Sequence, residues 1–174
     1  MNTKTLLCGI LFFAIAATLH AGDLKLPFKV SIVPDEGRGI SIARKKPRVF
    51  YVVITNISDE PQNTWQDWNS WGFWAISFEL TMPDGKRILI NRNRKERFTK
   101  NSPATFIIPP GEHEVYPIQL DTEWDNRPTF TKAGEASIKL KAIYAVAPTK
   151  ESAEFNVWTG RIESASYDLT LRHW

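Results

Sequence analysis

The chain has 174 residues, a net charge of +3 and a single cysteine, Cys8. So small a charge excess gives no electrostatic reason to expect a nucleic-acid partner. Cys8 falls in the first 21 residues, so their removal would leave no disulfide and no thiol nucleophile, and the core alone would hold the fold.

Those residues, MNTKTLLCGILFFAIAATLHA, have the layout of a secretory signal peptide. Lys4 starts them positively, an apolar run extends from Leu6 to Ala17, and the small Ala21 stands at a plausible cleavage site. Leu19, three residues before the cut, is a less usual choice. The apolar run is shorter than the ~20 residues a spanning helix needs, and Cys8 lies at its start, whereas a lipid-modified cysteine would follow it. The expectation is an exported protein, periplasmic or extracellular, with residues 1–21 as signal, residues 22–174 as one domain and no membrane span after cleavage. A domain of that size buries about 70% of the surface its unfolded chain exposes.

The remaining chain reads as strand almost throughout. Residues 28–33 (FKVSIV) and 39–43 (GISIA) are short alternating runs, and residues 49–58 (VFYVVITNIS) are apolar at successive positions, as in a strand covered on both faces. Residues 73–82 (FWAISFELTM) alternate, with Trp74, Ile76, Phe78 and Leu80 on one side. The PDGK that follows is a hairpin signal, because Asp-Gly accepts positive φ, and residues 87–90 (RILI) return beside it. Residues 104–120 read as strand, turn and strand around Pro109, Pro110 and Gly111. Residues 135–146 (EASIKLKAIYAV) alternate again, and the last strands fall in residues 155–164 and 166–174. Eight to ten short strands without a long amphipathic helical repeat predict an all-β domain, an antiparallel immunoglobulin-like β-sandwich. Its expected core includes Val53, Trp74, Ile76, Phe78, Leu140, Tyr144 and Trp158. In VWTGRIES, Gly160 predicts a close backbone approach, with Trp158 covering the core beside it.

Four tryptophans, Trp65, Trp68, Trp71 and Trp74, recur every third residue in NTWQDWNSWGFW. That spacing alternates faces on a strand, drifts on an α-helix and forms a ridge on a 3₁₀ turn. Trp65, Trp68 and Trp71 lie in a connection rich in Asn, Gln and Asp. They either plug the open end of the core, with indole N–H groups on backbone carbonyls, or stand exposed to stack on a sugar ring or a protein side chain.

Positive charge gathers between Lys86 and Lys100. Arg92, Arg94, Lys95, Arg97 and Lys100 could contact an anionic envelope component, or could be a solvated loop that protects an edge strand. Acids at Glu112 and Glu114, and at Asp121, Glu123 and Asp125, do not make a calcium loop, since Asn126 occupies the glycine position and Lys132 the position of the bidentate acid. His113 and His173 are too few for a zinc site. No nucleophile elbow or glycine-rich phosphate loop is present. The expectation is a protein that is not an enzyme, with no metal and no cofactor, binding a protein or a glycan.

The segments NISDEP, NSWG, FEL with PDGK, PPGE, IKLKAIYAV and VWTGRIES together resemble a group of exported bacterial proteins that are single β-sandwich domains without an assigned activity. The resemblance spans about residues 49–164 and carries over no catalytic residue. A lesser likeness, through the N-x-S strand end, the P-G-E turn and the late alternating strand with Tyr144, is to immunoglobulin-like bacterial proteinase inhibitors. It implies loops presented at one end of the fold.

Overall fold

The computed structural model describes residues 26–35, 40, 47–93, 98, 101–128 and 134–173. The predicted run at 39–43 lies outside these residues except for Ile40, which is buried in the core.

The described residues form ten strands and one short helix. In chain order they are β1 (Phe28–Pro34), β2 (Phe50–Asn56), β3 (Gln62–Trp65), β4 (Ile76–Thr81), β5 (Arg87–Asn91), β6 (Thr105–Ile108), β7 (His113–Ile118), β8 (Gly134–Val146), α1 (Lys150–Glu154), β9 (Gly160–Glu163) and β10 (Tyr167–His173). All pairings are antiparallel. One sheet runs β1-β2-β7, a second runs β10-β8-β4-β5 with β9 also on β8, and β3 and β6 form a small third sheet. Ile143 and Tyr144 of β8 pair with β4 and with β9 at once, which places β9 on the edge away from β4, end to end with β10.

Alternation decides which side chains fill the space between the two larger sheets. Phe50, Val52 and Ile54 of β2 and Ile76, Phe78 and Leu80 of β4 are buried, each separated by a half-buried neighbour. The Phe50 ring meets Phe78 edge-on with centroids 5.5 Å apart, and Phe28 of β1 meets Tyr144 of β8 at 6.3 Å. Truncating such a buried ring to alanine costs about 3–5 kcal/mol.

Three connections fix the ends of these strands. Gly85 (φ +81°) makes the predicted turn between β4 and β5, and Gly111 (φ +78°) the turn before β7. Both sit in the left-handed region that glycine enters without a steric penalty. The buried Asn56 donates from Nδ2 to the carbonyls of Glu60 and Ile108 and accepts through Oδ1 from the N–H and hydroxyl of Ser58. It thereby ties the end of β2 to the small sheet.

Several expectations need correction. The outer face of β2 is not covered as its composition suggests: Tyr51, Val53 and Thr55 are half-buried, so Val53 is not core. The strand is central because β1 and β7 flank it, and apolar residues on its outer face need no second layer. Trp74 is also not core: β4 begins at Ile76, Ala75 is the buried residue before it, and Trp74 is 41% exposed. The connection read as loop contains β3, and α1 falls where no helix is expected. That helix is five residues long and is nucleated by a capping box, in which Thr149 Oγ1 accepts from Ser152 N–H and Ser152 Oγ from Thr149 N–H. Among the described residues no helix is long and apolar enough to cross a membrane.

The expectation at Gly160 holds. A Cβ there would lie 2.7 Å from the Trp158 ring, which stacks on Tyr144 at 5.9 Å and meets Phe28 edge-on at 5.4 Å.

Candidate functional site: an aromatic loop where β4 begins

Between β3 and β4 the chain reverses through residues 66–75, and Asn69 organises the reversal. Its side chain is fully buried. Oδ1 accepts from Trp71 N–H (3.0 Å) and Gly72 N–H (2.9 Å), and Nδ2 donates to the Ala104 carbonyl (2.9 Å). Asparagine suits this position because one short side chain serves two backbone donors and one acceptor. Gly72 is equally specific: a Cβ there would lie 2.1 Å from the Gln66 carbonyl oxygen. Asn101 holds the outside of the loop, accepting from Ser70 N–H (2.9 Å) and donating to Ser70 Oγ (2.6 Å). The loop therefore presents its side chains from a backbone pinned on several sides.

This geometry splits the four tryptophans. Trp65 closes β3 and is 2% exposed, packed against Trp71 and Phe155 with centroids 5.7 Å from each. Trp71 is half-buried against the core. These two plug the end of the fold, which removes Trp65 from the expected contact surface. Trp68, by contrast, is 55% exposed. Trp74 forms a triangle with Phe73 and Phe98, all three rings edge-on at 5.4–5.7 Å. Sequence reasoning named Trp68 as a contact but missed Trp74, Phe73 and Phe98. A period of three over a reversing chain fits no regular element, so spacing could not sort the rings.

Arg92, just past the end of β5, completes the cluster. Its guanidinium lies 4.5 Å from the Phe73 centroid and 5.5 Å from that of Trp124. Trp124 is itself buried against Phe78 at 5.2 Å. Burial lowers the Arg92 pKa, while Asp67 and Glu123 favour the cation. Arg92 is a packed cation with its own compensating acids. Arg94, Lys95, Arg97 and Lys100 lie outside the described residues.

Acids line one side of the same region. Burial, and then the Asp67 charge, raises the pKa of the half-buried Glu114, with His113 opposing. Burial also pushes the Tyr116 hydroxyl far above its ordinary value, so it stays neutral and is a hydrogen-bonding group. No group of three His, Cys, Asp or Glu side chains among the described residues is placed to hold a metal ion. The arrangement supplies exposed ring faces, carboxylate acceptors and one fixed guanidinium, which suits recognition by stacking and hydrogen bonding.

No protein-family model matches the chain, and no curated protein is significantly similar to it.

Proposed function

We propose that the protein is an exported, non-catalytic binding domain of the bacterial cell envelope, an immunoglobulin-like β-sandwich of the kind its sequence resembles. Its contact surface is the loop that presents Trp68 and Trp74. One observation carries the reading: two tryptophans are strongly exposed on a loop that Asn69, Gly72 and Asn101 immobilise. Exposed indoles on a fixed backbone lose little conformational entropy on binding, which is the economy of an interaction hot spot.

The partner is a protein or a glycan of the envelope. A carbohydrate-binding role rests on the same two indoles, with Asp67 and Glu114 as acceptors for sugar hydroxyls. The proteinase-inhibitor reading has less support, because the loop folds back on itself at Gly72 and Gln66 instead of extending outward.

The test measures retention of the labelled protein on envelope fractions, before and after protease digestion. Trp68→Ala with Trp74→Ala is expected to weaken retention by roughly tenfold or more, as hot-spot truncation does. Protease-sensitive retention identifies a protein partner, and protease-resistant retention a glycan. Retention that the double variant leaves unchanged overturns the assignment of the surface.

A further inference from the structure

A second feature lies away from the aromatic loop. The outer strand of one sheet, β1, and the outer strands of the other, β9 and β10, border a groove of about 700 Å³. Phe28, Val30, Ile32 and Ile162 line it, with Ser164 and Tyr167 on the far wall.

The ladder shows which backbone groups of β1 face this groove. Ile57 N–H donates to the Pro27 carbonyl at 2.7 Å, and Phe28 stands opposite Asn56. That geometry makes Phe28–Asn56 a non-hydrogen-bonded antiparallel pair. Lys29, Ser31 and Val33 therefore turn their N–H and C=O groups toward β2, and Phe28, Val30 and Ile32 turn theirs along the groove. The chemical complement of such a row of alternating donors and acceptors is another polypeptide backbone.

Two other edges of the larger sheets are guarded. β7 carries the exposed Pro117, β5 begins at the exposed Arg87 and leads into the Arg92–Trp124 bridge. β9 and β10 pair with β8 on either side of Ser164, whose hydroxyl accepts from Ala142 N–H, so they form two separate edges instead of one continuous one. On β1 a single charge, Lys29, stands between Phe28 and Val33, and Val33 is 42% exposed.

We propose that this groove binds an extended polypeptide segment that adds to β1 as a further strand, with apolar residues at alternate positions and acidic residues between them. The apolar side chains would lie over Phe28, Val30 and Ile32. The residues between them would share the face of Lys29, because cross-strand neighbours point the same way. Charge sets the sign of those residues. Lys29 makes no ion pair among the described residues, and on the far wall Glu163 is held by both Lys141 and Arg161 at 2.9 Å, leaving cations in excess. The groove volume is that of a binding pocket for a short segment.

The test is a titration of the isotopically labelled protein with a capped heptapeptide alternating valine and glutamate, followed by amide chemical shifts. Saturable shifts confined to residues 26–32 and 162–167 are expected. N-methylating the peptide amides that face β1 should weaken binding by about tenfold or more, since each removes a backbone hydrogen bond. Val30→Pro should do the same from the protein side, because its N–H points away from β2. If that variant fails to fold, the N-methylated peptide on the native protein decides the matter. Lys29→Glu should weaken binding roughly two- to fivefold. Binding that survives N-methylation, equal binding of a valine–lysine peptide, or the absence of a saturable shift at millimolar peptide overturns the proposal. Trp68→Ala, in the aromatic loop, should leave this binding unchanged.

Discussion

Asn69→Ala should unfasten the aromatic loop and lower the stability of the whole domain. The substitution removes three hydrogen bonds of 2.9–3.0 Å from a side chain that is fully buried. The bond from Gly72 N–H is buried, so its donor would be left without a partner, while the Trp71 N–H and the Ala104 carbonyl are partly buried and would recover some hydration. An orphaned buried group costs about 1–3 kcal/mol, and with two partly rehydrated groups added the total is about 3 kcal/mol. For a chain of this length each kcal/mol lowers Tm by about 2–4 °C, so a fall of about 6–12 °C is expected in a circular-dichroism melt. Acrylamide quenching should rise at the same time, because Trp65 and Trp71 lose the loop that seals them. A Tm within about 2 °C of the native protein, with unchanged quenching, would refute the view that Asn69 holds this loop.

Gly72→Ala should also destabilise, by about 1–3 kcal/mol as overpacking does, since its Cβ must displace the Gln66 carbonyl 2.1 Å away; an unchanged Tm would show that the loop relaxes freely. Arg92→Lys keeps the charge but loses the planar stack on Phe73 and Trp124, so a denaturant titration should show a loss of about 1 kcal/mol, and full stability in the variant would mean that charge alone matters there. Glu114 has a raised pKa from burial and Asp67, so the folded state keeps this proton to higher pH than the unfolded chain does. Its ionisation therefore removes stability as pH rises from the unfolded pKa through the folded one. Glu114→Gln should leave Tm nearly unchanged in acid and raise it at neutral pH; a neutral-pH Tm below that of the native protein would contradict the sign.

Much of the framework was legible in the chain itself. Alternation in ISFELT and in AIYAV marked the buried residues Ile76, Phe78, Leu80, Ala142 and Tyr144, because a strand's two-residue period maps directly onto one face of a sheet. Asp84-Gly85 and Pro110-Gly111 marked turns, because positive φ is a local demand that few residues meet. Gly160 announced the close approach of Trp158 for a related reason.

What the sequence could not decide was the fate of groups whose environment comes from distant segments. Trp65 is buried in part because Phe155, the residue that follows α1, packs on it, whereas Trp74 stays exposed because the strand starts two residues later. Arg92 reads as one cation in a basic run until Phe73 and Trp124 close around it. The open edge of β1 likewise exists only once β2 takes one side of the strand and β9 and β10 stop short of the other. Local sequence sets backbone preference and facing; tertiary structure sets burial, and burial decided which aromatic and charged groups remain free to bind.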